Sequence, residues 1–501
     1  MTIPLSLAAS RLGALSLVAL VALVAACAVG PDYVRPSLDV PAAYKETGPW
    51  KTAEPQPADS SQPWWEAYRD PTLSGLMRDA ERANQNIRQA EAQYRQARAI
   101  TDAARAGLWP GIGVNAGIQR ARSNSTGVRV GNTDGVGLQA SWEPDLWGSV
   151  RRSIESGEAG AQASADDLAA AHLSIQSALA QDYLQLRVTD QLSALYASTT
   201  EAYARALKLT RAQHNAGVAL LSDVALAESQ LTTAQAQAVD LDVQRAQLEH
   251  AIAVLTGRAP ADFSLPAVSA DQPFAMELPN TPAGLPSQLL ERRPDIAAAE
   301  RRAALANANI GVARAAYFPT LLLSAGGGFS AVGLGSLFDT PSRVWSLGAT
   351  LAQTVFDGGL RRAHDAQAVA AYDMAVAEYK QTVLSGFQQV EDDLAILRIL
   401  DQEAGLQAQA VKSAQLAERL ALSQYRAGTT SYLSVVTAQT LSLSNQRTAM
   451  QLRGRQLTTS VALITATGGG WSPANDAAAA AAPAASSSAP PISTASSTPG
   501  S

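Results

Sequence analysis

Few side chains in this sequence are suited to catalysis or metal binding. The chain has one cysteine, Cys27, and four histidines that lie far apart in stretches without helix breakers. These are His172, His214, His250 and His364. No nucleophile elbow or His-Glu-x-x-His motif accompanies them, and the Gly-Gly-Gly of residues 326–328 precedes no Gly-Lys-Ser/Thr phosphate-binding motif. We therefore predict no catalytic residue, no metal site and no enzymatic activity; a hydrolase, the enzyme alternative, would lack a site.

Cys27 directly follows an apolar segment near the N-terminus. Residues 12–26 before it are apolar or small and follow Arg11, and this run is shorter than the ~20 residues of a spanning helix. It is typical of a secretory signal peptide. The residues Val24-Ala25-Ala26-Cys27 resemble a bacterial lipobox, in which cleavage leaves the cysteine first and its thiol and amine are acylated. We expect a covalent lipid on Cys27 and no other cofactor, with Ala28 favouring the outer membrane; the alternative is a chance cysteine after an ordinary cleavage site.

The charge balance excludes a basic nucleic-acid binder. The chain has 38 Lys and Arg against 44 Asp and Glu, a formal net charge of −6. Only 16% of residues are charged, 47% are hydrophobic and 5% are aromatic, so small residues supply much of the apolar content. We therefore expect no nucleic-acid partner and no thick aromatic core.

The sequence contains an internal repeat, with corresponding motifs about 210 residues apart. Four short motifs recur in the same order: Leu108-Trp109-Pro110 with Tyr317-Phe318-Pro319, Arg151-Arg152 with Arg361-Arg362, His214-Asn215-Ala216-Gly217 with Tyr425-Arg426-Ala427-Gly428, and Leu255-Thr256-Gly257 with Ala466-Thr467-Gly468. Each half is therefore expected to form one structural unit of the same design.

Helix breakers and composition divide the chain into segments. These are a signal peptide (1–26), a lipidated N-terminal segment (27–72), a first repeat (73–256), a non-helical Pro-rich connector (257–294), a second repeat (295–470) and a disordered Ala/Ser/Pro tail (471–501). We expect one helix over about 73–107, strands at about 109–120, 134–142, 319–330 and 344–355, and long helices at 148–214, 222–256, 359–426 and 432–467.

The long helices are too long for a compact globule. A helix of the length of residues 148–214 would span about 100 Å at 1.5 Å per residue. Both long segments carry narrow apolar stripes with coiled-coil spacing, made by Leu168, Ile175, Leu179 and Leu186 and by Phe387, Val390, Leu394 and Leu397. Small residues beside the stripes favour a sheet of helices, and a soluble coiled coil is the alternative.

The strand segments alternate between apolar residues and small or polar ones. Ile112, Val114 and Ile118 share one face of the first strand, and Trp345, Leu347 and Leu351 share one face of the last. Short alternating segments with aromatic residues at their ends are typical of a transmembrane β-barrel. Two solvent-facing hairpins packed on helices are the alternative. Four strands cannot close a barrel, and lipid does not tolerate an open edge, so the chain is expected to oligomerise.

Further motifs resemble the outer membrane factor family of tripartite efflux pumps and type I secretion systems, in its lipoprotein branch. They are Val29-Gly30-Pro31-Asp32-Tyr33 with Arg35-Pro36, Trp64-Trp65 before Asp70-Pro71, and Arg292-Arg293-Pro294-Asp295-Ile296 leading to Glu300 and Tyr317-Phe318-Pro319. The resemblance implies a mainly α fold with a transmembrane β-barrel. In it, a duplicated helix-strand-strand-helix-helix unit forms a trimeric α-helical barrel and a 12-stranded β-barrel. The implied partners are two further copies of the chain, outer membrane lipid, a periplasmic adaptor and an inner-membrane transporter.

The same resemblance implies two sets of site residues at the helical turns. Adaptor docking falls on Gly217, Val218, Ala219, Leu220, Gly428, Thr429, Thr430 and Ser431. The periplasmic gate falls on Asp223, Tyr425, Arg426, Ser434 and Thr437. In the family the aspartate bonds a tyrosine and a basic residue of the other hairpin; Thr430 occupies that basic position here, with Arg426 as a substitute. Asp223 also suits the first turn of a helix, where its charge faces the helix dipole.

The expected function is a passive duct that exports drugs or other small molecules across the outer membrane and periplasm. A duct needs no chemistry of its own, only an inert wall and a closure at one end. A type I protein secretion duct and a structural periplasmic coiled-coil lipoprotein are the alternatives. Selectivity lies upstream in such systems, so the sequence does not name the cargo.

Overall fold

The computed structural model describes residues 28–46, 63–123, 129–268, 278–279 and 286–471. The predicted signal peptide, Cys27 and residues 472–501 of the predicted tail lie outside these ranges. The first repeat contains α1 (Pro71–Ala83), α2 (Gln85–Ala106), β1 (Gly111–Ser123), β2 (Arg129–Trp142), α3 (Ser149–Asn215) and α4 (Leu221–Leu255). After α5 (Pro286–Arg292), the second contains α6 (Pro294–Ala315), β3 (Thr320–Ala331), β4 (Arg343–Ala352), α7 (Leu360–Arg426) and α8 (Tyr432–Ala466).

The helix expected over about 73–107 is two helices, α1 and α2. Asn84 separates them, because its side-chain oxygen accepts hydrogen bonds from the backbone N–H groups of Asn86 and Ile87 and so caps α2. The Asn84 side-chain amide also donates to the Leu255 carbonyl at 2.8 Å. Asp70 caps α1 in the same way, with a proline at the first helical position.

The four strands form one antiparallel sheet in the order β1-β2-β3-β4. The register pairs Val114 with Leu138 and Ala325 with Leu347, so the apolar residues of all four strands share one face. Pairing of β2 with β3 joins the two repeats. Strand β4 ends at Ala352, before the expected 355. Within the described part of the chain, β1 and β4 are edge strands, each paired on one side only.

The apolar stripes of the long helices enter two separate cores. Leu179 and Leu186 of α3 pack with Met77 and Val461, where α1, α3, α4 and α8 meet. Val390 and Leu394 of α7 belong to a second cluster with residues of α6 and the C-terminal end of α8. Helix α8 contributes to both clusters, so it links the cores of the two repeats.

The connector expected to be non-helical contains a 3₁₀ turn, Pro260–Asp262, and the short helix α5. Pro286 begins α5, and a proline is compatible with the first turn of a helix because its missing N–H needs no partner there. None of the helices in the described ranges combines the length and apolarity needed to cross a membrane.

The N-terminal segment, residues 28–46, follows the outside of α6 and α7 as a strap. The Val29 N–H donates to the Trp147 carbonyl at the base of the sheet. Further along, the Tyr33 hydroxyl donates to Glu300 at 2.6 Å, and Glu46 forms an ion pair with Arg398 at 2.9 Å. Burial and the neighbouring Glu300 carboxylate raise the pKa of Tyr33 well above its usual range.

Two equivalent glycines follow the helical hairpins, one in each repeat. Gly257 packs against Ala83 at the end of α1, and Gly468 packs against Arg292 at the end of α5. Gly257 has φ +71° and Gly468 has φ +96°, a backbone conformation that favours glycine. A Cβ on Gly468 would lie 2.0 Å from the Arg292 carbonyl oxygen. The close approach explains why both repeats carry Thr-Gly at this point.

We predict that Gly468→Ala lowers the free energy of unfolding by about 2–4 kcal/mol, because the alanine adds both left-handed backbone strain and a steric clash. Denaturant unfolding of the detergent-solubilised protein measures this change. Gly405→Ala is the matched control: Gly405 lies within α7 and a Cβ there meets no atom within 4 Å, so the substitution should stabilise the helix by about 0.5–1 kcal/mol. Equal effects of the two substitutions would contradict the close-packing argument.

Candidate functional site

The two hairpin tips lie at the far ends of the long helices and share one turn geometry. Gly217 has φ +75° and Gly428 has φ +76°. The Val218 N–H donates to the Gln213 carbonyl at 2.9 Å, and the Thr429 N–H donates to the Gln424 carbonyl at 3.0 Å. This is the Schellman pattern, in which a left-handed glycine ends a helix and satisfies its last carbonyl groups.

The two tips present different surfaces despite this common backbone. In the first tip Val218 is 77% exposed and Leu220 is 70% exposed. The second tip places the hydroxyl groups of Thr429, Thr430 and Ser431 at the corresponding turn. One tip of each protomer is therefore apolar and the other is polar.

Asp223 lies in the first turn of α4, where it acts on its own helix. Its carboxylate accepts a hydrogen bond from the Leu220 backbone N–H at 3.4 Å. This contact satisfies one of the free N–H groups at the helix start and places a negative charge at the positive end of the dipole. Within one protomer, Asp223 thus has the helix-terminus role that its position in the sequence allows.

Tyr425 is buried, and its hydroxyl donates to Thr210 Oγ1 at 3.3 Å rather than to Asp223. The partner residue belongs to α3, so the bond joins the second hairpin to the first. The structure therefore keeps the inter-hairpin contact that the resemblance implies for Tyr425 but gives it a different acceptor.

The remaining residues assigned to the gate are exposed and are not brought together. Thr437 donates its hydroxyl to the Leu433 carbonyl of its own helix at 2.9 Å, and Ser434 accepts a hydrogen bond from Thr430 at 3.2 Å. Arg426 is the last residue of α7, and its side chain is exposed.

An aromatic cluster behind the tips was missed by the sequence reasoning. Tyr425 and Tyr432 lie on either side of the second tip with ring centroids 5.2 Å apart. They pack with Leu207, Val224, Ala227 and Val435. Burial raises the pKa of Tyr432 to about 12. The seven-residue spacing of the two tyrosines across a Gly-containing turn was the available signal.

A cavity of about 750 Å³ with a mixed polar and apolar lining lies between α3, the start of α6, α7 and the end of α8. Asp392 and Asp393 of α7 line it, together with Arg293 and Gln181. Burial, together with the neighbouring charge of Asp392, raises the pKa of Asp393 to about 7. The cavity thus combines a few charged side chains with the small apolar residues Ala178 and Ala462.

Aromatic side chains mark the end of the sheet that adjoins the helices. The Trp142 Nε1–H donates to the Leu108 carbonyl at 3.1 Å, and the Trp147 Nε1–H donates to the Pro319 carbonyl at 2.6 Å. The rings of Trp147 and Phe318 stack at 4.8 Å. Amphipathic rings at this level are typical of a boundary between lipid and water.

The fold is a duplicated bundle of very long helices. A sheet with one apolar face lies at one end, and exposed hairpin tips lie at the other. These features define a channel-forming envelope protein. The family model described as "Outer membrane efflux protein" matches residues 76–258 and 285–469. The chain belongs to this family. It is an outer-membrane component of an efflux pump, and its family consists of channel proteins rather than enzymes.

Individual relatives agree with this assignment over nearly the whole chain. The pyoverdine export outer membrane protein OpmQ of Pseudomonas aeruginosa is 32% identical over 471 residues, covering 91% of this chain and 97% of OpmQ. The toluene efflux pump outer membrane protein TtgC of Pseudomonas putida is 30% identical over 467 residues, covering 91% and 95%. The solved outer-membrane channel OprN superposes with a TM-score of 0.81 at 30% identity, covering 89% of this chain and 100% of that chain.

Proposed function

We propose that three copies of this chain form a passive duct that crosses the outer membrane and the periplasm. The observation that carries the proposal is the open sheet: β1 and β4 are edge strands in the described chain, and the sheet has a continuous apolar face. Unpaired strand edges are not tolerated in lipid, so copies must pair edge to edge. Three copies give a closed barrel of twelve strands with room for a lumen.

The helical hairpins would continue this barrel as a tunnel through the periplasm. Helices α3 and α7 each have 67 residues, which corresponds to about 100 Å. The exposed tips are then the docking surface for a periplasmic adaptor, and an inner-membrane transporter would complete the pump. Relatives are named for pyoverdine and toluene, which supports small molecules as the cargo class for this chain.

A lipid on Cys27 fits the position of the residues that follow it. Ala28 lies against Gly148, and the Val29 N–H donates to the carbonyl of Trp147 beside the stacked Trp147–Phe318 pair. The acyl chains would therefore enter the membrane at the aromatic end of the sheet. The strap of residues 28–46 would link this anchor to the middle of the helical bundle.

The closure of the duct would lie at the tips, close to the turns, and would involve Asp223, Tyr425, Arg426, Ser434 and Thr437. Asp223 is half-buried in one protomer, and its carboxylate retains acceptor capacity beyond the Leu220 N–H for a partner from a neighbouring copy. Arg426 is exposed and would be free to supply that partner.

Single-channel conductance of the purified protein in planar bilayers tests the duct and this gate together. We predict that the wild type migrates as a trimer on unboiled gels and has a small single-channel conductance. Asp223→Ala and Asp223→Asn should both raise conductance several-fold if the carboxylate charge holds the gate. The asparagine oxygen still accepts from Leu220, so a change seen only with alanine would assign Asp223 to helix capping alone. A monomer without conductance would refute the duct.

A further inference from the structure

We propose that Thr210 is the acceptor of a latch that holds the two hairpins of each protomer together behind the tips. The latch consists of Thr210 on α3 with Tyr425 and Tyr432 of the second hairpin. The proposal rests on the duct function above, because a latch can act only in a channel that opens at its tips. It adds a residue that neither the sequence reasoning nor the family motif assigns.

The hydrogen-bonding geometry makes Thr210 the acceptor of the bond between the hairpins. Its side chain is fully buried, and its hydroxyl proton is donated to the Ala206 carbonyl of the same helix at 3.1 Å. The lone pairs of Oγ1 therefore remain for an incoming donor, and the Tyr425 hydroxyl supplies it at 3.3 Å. Thr210 thus accepts across the hairpins while it donates within its own helix.

Tyr432 encloses this bond from the start of α8. Its ring packs on Tyr425 at 5.2 Å, and its hydroxyl lies beside Thr210, which partly opposes the rise in the Tyr432 pKa caused by burial. Leu207, Val224 and Val435 complete an apolar shell around the three residues. Because water is excluded, loss of the acceptor would leave the Tyr425 hydroxyl unpaired in the closed state.

The position of the latch suits control of the tips. Thr210 precedes Gly217 by less than two helical turns, and Tyr425 directly precedes the second tip. Further from the tips, the side-chain amide of Gln230 on α4 donates to Gln439 on α8 at 3.3 Å. Outward movement of the second hairpin near the tip would have to break the tyrosine contact first. In the open state water can satisfy the Tyr425 hydroxyl, whereas in the closed state only Thr210 does, so loss of Thr210 penalises the closed state alone.

The experiment compares single-channel conductance of trimers that carry substitutions in and near the latch. Thr210→Val keeps the shape and removes the acceptor, and we expect about a tenfold rise in the open-to-closed ratio, which corresponds to about 1.4 kcal/mol. Tyr425→Phe removes the donor without leaving a buried hydroxyl unpaired, so its rise should be smaller, and the double variant should resemble Tyr425→Phe rather than add the two effects. Thr210→Ser should stay close to wild type.

Thr233→Val is the matched control. The Thr233 hydroxyl also donates to a carbonyl four residues earlier, that of Ser229 at 2.8 Å, but its side chain is exposed on α4. Conductance that is equal in wild type, Thr210→Val and Tyr425→Phe would overturn the latch while leaving the duct intact. If Thr210→Val does not assemble, Tyr425→Phe and Thr210→Ser decide the question. Absence of conductance in every assembled variant, including the double one, would instead refute the duct.

Discussion

Leu138→Arg should abolish assembly of the channel in the outer membrane, whereas Gln139→Arg on the neighbouring residue should be tolerated. Leu138 lies on the apolar face of β2, opposite Val114 of β1, and Gln139 lies on the other face. An arginine on the lipid face near the bilayer midplane costs about 2–4 kcal/mol. In the proposed trimer, three such charges would lie in one barrel, a cost on the order of 6–12 kcal/mol, which is comparable to the whole stability of a folded domain.

The two substitutions form a matched pair because both side chains are exposed in the single chain. Leu138 is 58% exposed in the protomer, and Gln139 is exposed as well, so either arginine can reach solvent in a sheet that faces water. Only a bilayer on one side of the sheet separates their effects. The measurement is the amount of heat-modifiable trimer in the outer membrane fraction. Equal yields of the two variants would favour the alternative of solvent-facing hairpins packed on helices.

The sequence predicted the parts of the fold that leave a periodic or local signal. The long helices begin after Gly148 and Gly359 and stop at Gly217 and Gly428, and all four glycines have positive φ. A positive φ at glycine is a local property of the chain, so these glycines predicted the ends of α3 and α7 closely. Alternation likewise placed the apolar face of the sheet, because successive strand residues point to opposite sides.

Features that depend on one capping side chain or on distant partners were not predictable. Asn84 splits a helix that has no Gly or Pro at that point, because its side chain competes for the backbone N–H groups. The Tyr33–Glu300 bond joins residues 267 positions apart, and such pairing leaves no periodic pattern. The Thr210–Tyr425 contact was missed for the same reason, and the resemblance directed attention to Asp223 instead.

The strongest prediction for stability concerns the connector between the repeats, which a buried carboxylate ties to two helices. The Asp190 side chain is 1% exposed, and it accepts hydrogen bonds from Arg187 at 3.0 Å and from Arg245 at 2.8 Å. It also accepts from the backbone N–H of Val268 at 3.3 Å. The two arginines in turn donate to the carbonyls of Pro266 and Leu265, so one carboxylate organises the whole end of the connector.

Asp190→Ala should therefore lower the free energy of unfolding by about 3–5 kcal/mol, because it leaves two guanidinium groups partly or fully buried without their shared counter-charge. Denaturant unfolding of the detergent-solubilised protein gives the value. Glu201→Ala on the same helix is the control, since its ion pair with Arg205 at 3.4 Å is exposed and should contribute no more than about 0.5 kcal/mol.

Asp190→Ala should also make residues 263–268 accessible to protease before global unfolding. These residues lose their attachment to α3 and α4 while the apolar cores stay packed. A loss below about 1 kcal/mol with the connector still protected would show that apolar contacts of Phe263 and Leu265 hold the connector without the charge network.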